Sequence, residues 1–347
     1  MRKLLLLGLV CAVCLSASPH RGYAQTALRR TVVDSAERKV GVPRTITRIV
    51  ITCYGGASHE ISVLGGADKI VAQPSVQRFP QLVKMYPRFK AVPDAGSFDA
   101  VNIEHIMALK PDIVVAGITS IKGNKKIEAT GIPVVVAAIG HADIEGLLKE
   151  FRMMGEILGA EKTAEELVGF WKDRLSLIQR RVATMPERTR KKVFYVSSGS
   201  SFNTEGRLWW GDHFITASGG VNVAKDVGLA RQVAAEQLLV WNPDVIITQD
   251  NAGMRSSAGA IRTNPQLRNV RAVRENAVYR CPVGAFWWDR PSPEAILGIM
   301  WLAKTLYPSA CADVDIKGET DSFFRRFYGY NLSDEEYEAF GKGGHDE

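Results

Sequence analysis

Apolar residues along the chain alternate between two patterns. The first is a short, unbroken, mostly β-branched block: Arg48–Cys53, Lys69–Ala72, Ile113–Ala116, Ile132–Ala138, Lys192–Val196 and Val245–Ile247. Such blocks predict strands covered on both faces, the environment of a parallel sheet. The second places apolar residues at three- and four-residue steps and predicts amphipathic helices. Asp143 caps one that runs to Leu158 and stops at Gly159, and Lys122–Thr130, closed by Gly131, is another. A further helix covers Pro291–Leu306, and Ser333-Asp334-Glu335-Glu336 is a capping box for a last short one. Strands alternating with helices define an α/β fold with parallel sheets. Residues 25–45 and the segment Gln73–Pro93, with its four prolines, carry no such period and read as irregular.

One helix–strand unit occurs twice. Asn102–Val115 holds Glu104, a short helical run, then Lys110-Pro111-Asp112 and a β-branched block. Ala234–Ile247 repeats it 132 positions later, with Glu236 and Asn242-Pro243-Asp244. Proline lacks an N–H and drives the residue before it out of the helical region, so each unit reads helix, turn, strand. A long-period duplication without a third copy predicts two similar α/β lobes rather than a solenoid. Between the copies lies Glu161–Met185, with Leu167, Phe170, Trp171, Leu175, Ile178 and Val182 on one face. A helix of about 25 residues is about 37 Å long, enough to run the length of a domain. The expected division is an N-terminal lobe over 25–160, a bridging helix over 161–185 and a C-terminal lobe over 186–347.

The first 24 residues stand apart. Arg2 and Lys3 precede an apolar run from Leu4 to Ala17, and Gly22-Tyr23-Ala24 ends the stretch in the small-residue pattern of a secretory cleavage site. The run is too short to span a bilayer comfortably. Val10 and Val13 stand where a small residue would precede a lipidated Cys11 or Cys14, which argues against a lipid anchor. An exported protein beginning at Gln25 is expected. The 347 residues suffice for two domains of ordinary size. Arg2, Lys3 and Arg21 supply three of the +7 formal charge, so the shortened chain carries +4. That mild, unclustered surplus is not the footprint of a nucleic-acid binder. Cys53, Cys281 and Cys311 remain, an odd number that excludes a complete disulfide framework. Cys53 lies in an apolar block and reads as a small buried hydrophobe. Cys281 with Cys311 is a candidate bridge whose geometry sequence does not fix.

In open α/β sheets ligands sit beyond the C-terminal ends of the strands. The loops there span 54–57, 96–98, 117–119, 197–203, 250–251 and 284–290. The candidate ligand-binding residues are Tyr54, Gly55, Ser97, Phe98, Ser198, Asp250, Trp287, Trp288 and Arg290, with Arg207, Trp209 and Trp210 near by. Gly55-Gly56 at a strand-to-helix turn lets backbone approach a ligand, but it does not fit G-x-G-x-x-G, so no dinucleotide is read. Adjacent tryptophans in a loop are hard to bury together. One of Trp287 and Trp288 is expected to plug the core and the other to stack on a planar ligand. Arg207 and Arg290 could hold an anion through a bidentate fork. His59, His141 and His213 are scattered without metal-ligand spacing, so neither a resident metal nor another cofactor is expected. Asp289-Arg290 or His213 could do acid–base work. No nucleophile elbow, H-E-x-x-H or P-loop is present, however, and the chain does not read as an enzyme. A sensor or structural domain, the third class, would hold no ligand tightly.

An exported chain of two α/β lobes joined by one long helix resembles the substrate-binding proteins of ABC importers that carry iron–siderophore complexes, haem and cobalamin. The matching segments, Arg48–Leu64, Val101–Val115, Glu161–Met185, Ala217–Asn222, Ala234–Ile247 and Trp288–Pro308, span nearly all of the mature chain. The resemblance implies Rossmann-like lobes, a ligand cleft between them, a single helical bridge that limits closure, and a periplasmic monomer. It implies that Glu104 and Glu236 dock onto arginines of the membrane permease. It further implies that the ligand is a metal complex: an iron–siderophore, haem or a corrinoid. The Phe286–Glu294 stretch, with its Trp-Asp-Arg-Pro-Ser-Pro-Glu run, looks most like a branch that includes molybdate and tungstate binders, which makes an oxyanion the alternative ligand. Because the fold also hosts metal chelatases, a chelatase-like enzyme is a more remote alternative.

Overall fold

The β-branched blocks form the centres of two four-stranded parallel sheets, and the rest of the chain packs on them. The computed structural model describes residues 29–342, apart from 55, 139–140, 184, 198–201 and 250–256. The leader at 1–24 and the candidates Gly55, Ser198 and Asp250 lie outside the described residues. A hairpin of β1 (Arg29–Val33) and β2 (Lys39–Pro43) comes first, where sequence suggests an irregular segment. Each strand buries one residue fully, Val32 or Val42, which is too thin an alternation to read from the chain. Its turn is built by Asp34, whose carboxylate accepts the N–H groups of Ala36 and Arg38 at 3.0 Å.

The first sheet lobe runs β3 (Ile49–Ile51), α1 (Ala57–Val63), β4 (Ile70–Ala72), α2 (Pro80–Met85), a small hairpin of β5 (Gly96–Ser97) and β6 (Ala100–Val101), α3 (Ile103–Ala108), β7 (Ile113–Gly117), α4 (Ile121–Glu128), β8 (Val134–Ala137) and α5 (Ile144–Leu158). The strand order is β4-β3-β7-β8. The proline-rich segment thus holds a helix. Pro80 occupies its first turn, where the missing N–H would have no partner in any case. Asp143 caps α5 by accepting the Gly146 N–H at 2.6 Å, and Gly159 ends it in the left-handed region.

Helix α6 (Glu161–Val182) follows, three residues shorter than its periodicity suggests. The second lobe runs β9 (Lys192–Val196), β10 (Asn203–Glu205), α7 (Trp210–Ala217), β11 (Val221–Asn222), β12 (Ala230–Gln232), α8 (Ala235–Trp241), β13 (Val245–Thr248), α9 (Ser257–Thr263), α10 (Arg271–Arg274), β14 (Val278–Arg280), α11 (Ala295–Leu306), α12 (Ile316–Phe323) and α13 (Asp334–Lys342). The order β11-β9-β13-β14 repeats that of the first sheet. The duplication extends to single atoms. Lys110 and Asn242 both adopt positive φ, 46° and 44°. The Asp112 carboxylate accepts the Thr47 and Arg48 N–H groups at 2.7 and 2.9 Å, and that of Asp244 accepts the Lys192 N–H at 2.8 Å. Arg48 donates to the Leu109 carbonyl as Lys192 does to that of Trp241. Each Pro-Asp turn therefore stitches a helix end to the start of the neighbouring central strand.

Helix α6 touches both lobes. Trp171 packs on Phe151 of α5 at 5.9 Å between ring centroids and donates its indole N–H to the Pro293 carbonyl at 3.0 Å. Arg174 pairs with Glu319 of α12 at 2.8 Å. One continuous apolar core runs from β3, α1 and α5 through α6 to α7 and α11. The tail then returns to the first lobe: Glu336 pairs with Lys84 of α2 at 2.6 Å, and Tyr330 donates to the same carboxylate at 2.6 Å. The capping box at Ser333 forms, with the Ser333 N–H on Glu336 at 2.7 Å and the Glu336 N–H on the Ser333 hydroxyl at 3.2 Å. Cys281 and Cys311 are both buried free thiols and not a bridge. Among the described residues no helix is long and apolar enough to cross a membrane.

Candidate functional site

Strand β3 delivers Tyr54 to the seam between the lobes. Gly56, at φ +96°, starts α1, and a Cβ there would lie 3.1 Å from the Pro291 carbonyl oxygen. The backbone angle demands glycine, and the close approach to the other lobe leaves little room for a side chain. Phe98 holds φ +52°, a strained conformation for an aromatic residue. Its N–H donates to the Thr52 carbonyl at 2.8 Å, and the next residue, Asp99, accepts the Lys122 and Gly123 N–H groups at 2.9 and 2.8 Å. Pinned between β3 and α4, Phe98 lays its ring 5.9 Å from that of Tyr54, which is 38% exposed. Ser97, on β5, is half-buried beside it. Arg78, exposed on the approach to α2, sets its guanidinium 5.4 Å from the Tyr54 ring centroid and 5.9 Å from that of Trp287. The cation is held by two rings, one from each lobe. Among the described residues no carboxylate pairs with it.

The facing loop, 284–292, is anchored from below. Arg290 donates through Nη1 to Glu205 at 2.7 Å and through Nη2 to the Ser197 carbonyl and to Gln249 Oε1, both at 2.7 Å. Glu205, 2% exposed, accepts the Gly211 N–H of α7 with its other oxygen at 2.8 Å. Arg290 thus ties the ends of β9, β10 and β13 to the loop. Asp289 accepts from the Tyr195 hydroxyl at 2.8 Å, and burial raises its pKa to about 6 despite the attraction of Arg290. Burial likewise raises Glu294 to about 7, although the Tyr328 hydroxyl, Trp288 indole and Ala285 N–H all donate to it. His59 fills the seam. Its Nε2–H donates to the Ala285 carbonyl at 2.7 Å, and its ring lies between Phe79, met edge-on, and Phe286, met at a tilt. Burial lowers its pKa to about 3, so it is neutral and structural.

The sequence candidates scatter accordingly. Tyr54 and Trp287 flank Arg78, and Phe98 lies behind Tyr54. Trp287 is half-buried, with its ring 4.8 Å from Phe79 and 5.2 Å from Phe286. Trp210 and Trp288, 0% and 1% exposed, lie in the core, where a ligand could not reach them. Gly298 makes room for Trp288: a Cβ at 298 would meet the Trp288 carbonyl oxygen at 2.2 Å. Trp209 is half-buried and packs on His141 of the other lobe, 4.4 Å between rings. Arg207 is exposed and pairs with Asp226. Glu104 and Glu236 stand exposed in the first turns of α3 and α8. Sequence reasoning missed Arg78 because it lies in the proline-rich segment and its partners are remote in the chain. Glu205 was missed for the second reason alone. Among the described residues no three His, Cys, Asp or Glu side chains are grouped to hold a metal ion.

Two like lobes, each turning the C-terminal ends of a parallel sheet toward a common seam, define a two-lobed α/β binding protein. The chain belongs to the periplasmic binding protein family, whose model matches residues 51–283. It is 26% identical to the molybdate-binding protein MolA of Haemophilus influenzae over 86% of this chain and 91% of that one. It is 22% identical to the vitamin B12-binding protein of Yersinia pestis over 76% and 88% of the two chains. Among solved structures, a periplasmic solute binding protein of Veillonella parvula superposes with a TM-score of 0.79 at 27% identity, over 90% of this chain and 97% of that one. MolA bound to molybdate superposes with a TM-score of 0.77 at 26% identity, over 88% and 99%.

Proposed function

We propose that the chain is the periplasmic substrate-binding component of an ABC importer and that its ligand is a small oxyanion of the molybdate class. The observation that carries this reading is Arg78, an exposed guanidinium between Tyr54 and Trp287 that has no carboxylate partner among the described residues. A tetrahedral dianion there would gain charge-assisted hydrogen bonds from a planar, permanently charged donor. The burial of Trp288 and Trp210 removes two of the rings that a planar chelate would stack on. The likeness to MolA, named for molybdate, points the same way. A metal complex (iron–siderophore, haem or corrinoid) is the second reading, favoured by the exposed Tyr54 with Phe98 beside it and by the vitamin B12-binding relative. In either case the leader at 1–24 is removed without lipidation. The units are 25–160, 161–185 and 186–347. The mature monomer docks on the permease through Glu104 and Glu236, and the ligand is released chemically unchanged.

Calorimetric titration with molybdate, tungstate, cyanocobalamin and haemin tests the choice. Molybdate or tungstate should bind one to one, and Arg78→Gln should weaken it about 10- to 100-fold, the worth of a hydrogen bond to a charged group. Tight cobalamin or haem binding that survives Arg78→Gln would replace the oxyanion reading with the chelate one.

A further inference from the structure

We propose that α3 and α8 carry two equivalent apolar anchors, Met107 and Leu239–Val240, that seat in the paired membrane subunits of the importer beside Glu104 and Glu236. This rests on the docking reading above and adds to it an apolar contact that contributes affinity. The two helices align position by position: Glu104 with Glu236, Ile106 with Leu238, Met107 with Leu239, Ala108 with Val240. The inner face of each is complete, since Ile106 and Leu238 are 1% and 0% exposed. The outer face is what the fold does not explain. Met107, Leu239 and Val240 are 52%, 40% and 78% exposed. They make up three of the nine large apolar side chains exposed among the described residues, on two helices that total 13 residues. Residues three apart on a helix share a face, so each apolar group lies beside its glutamate. Both glutamates are exposed, and among the described residues neither forms an ion pair.

A lone apolar side chain on a surface is ordinary, but here exposed apolar groups recur at equivalent positions of two lobes. An apolar side chain beside an unpaired carboxylate, repeated on both lobes, fits a partner that offers an apolar pocket rimmed by a cation, twice. A symmetric pair of subunits presents any pocket twice. In such a contact the buried apolar group supplies affinity, while the rim charge sets orientation and encounter rate.

The test measures binding of the full mature chain to the cognate permease–ATPase complex in nanodiscs, with sedimentation of the free protein alongside. Met107→Ser/Leu239→Ser/Val240→Ser should weaken binding at least tenfold through faster dissociation, with the melting temperature unchanged. Met107→Ser alone should produce part of that loss. Glu104→Arg/Glu236→Arg should abolish binding. If the glutamate variant loses binding and the apolar variant keeps it, the anchors are refuted while the docking reading stands. If both variants bind as wild type does, the docking reading fails as well. Should the wild type sediment as a dimer that the apolar variant dissociates, the face serves self-association and the proposed occupant is wrong.

Discussion

Arg290 can be a tie or a ligand grip, and one substitution separates the two. Arg290→Gln removes the Nη1 bond to Glu205 and both Nη2 bonds, leaving the Glu205 carboxylate, 2% exposed, with the Gly211 N–H as its remaining partner among the described residues. Stranding one member of a buried ion pair costs about 3–5 kcal/mol. At about 2–4 °C per kcal/mol for lobes of this size, the melting temperature should fall by about 6–20 °C. Glu205→Gln in the same chain removes the stranded charge and should recover at least half of the loss. Differential scanning calorimetry of wild type, both single variants and the double variant gives the full cycle, and molybdate titration of each gives the binding side. A single Arg290→Gln variant that melts within about 2 °C of wild type yet loses ligand would refute the tie and return Arg290 to the ligand. A double variant no more stable than Arg290→Gln would refute the coupling to Glu205.

Two further outcomes follow from the buried groups. Asp289 and Glu294 have folded pKa values raised by burial to about 6 and about 7, so between about pH 4 and those values the folded protein holds protons that the unfolded chain has released. Stability should therefore fall as pH rises from 4 to 7, by about 3 kcal/mol for each group; Glu294→Gln should shrink the difference in melting temperature between pH 5 and pH 8, and an unchanged difference would refute the assignment. Trp288→Ala should cost about 3–5 kcal/mol by opening a cavity and leaving Glu294 without its indole donor, whereas Trp287→Ala, at a half-buried site, should cost markedly less in the same denaturant titration.

The fold was legible where a local rule and the tertiary structure demand the same residue. The two Pro-Asp turns were visible because each aspartate must stitch a strand start, and that need is the same in both lobes. The stripe from Leu167 to Val182 was visible because α6 buries one face along its whole length. Local pattern failed where elements are too short to show a period, as in β1, β2 and α2, or where the partner is far away in sequence. Arg290 meets Glu205 across 85 residues, and no spacing rule announces such a pair. Likewise the Trp287-Trp288 pair could be read as one buried and one accessible ring, but which is which depends on the room left by Gly298 on α11. Arg78 was illegible for a similar reason: Tyr54 and Trp287, which single it out, arrive from two lobes.

The return of the tail to the first lobe has a mechanical consequence. A rigid body tethered at one point keeps three rotational freedoms, a second tether leaves one axis, and a third off that axis leaves none. Here the tethers are α6, the 284–292 loop against His59 and Phe79, and α13 on α2. Swinging the lobes apart must first break one of them. The first two rest on buried side chains such as Trp171 and His59, while Lys84, at 60% side-chain exposure, reaches Glu336 through water-facing space. An ion pair of that kind weakens as salt shortens the reach of its charges. Rising ionic strength should therefore loosen this third tether while leaving the other two in place.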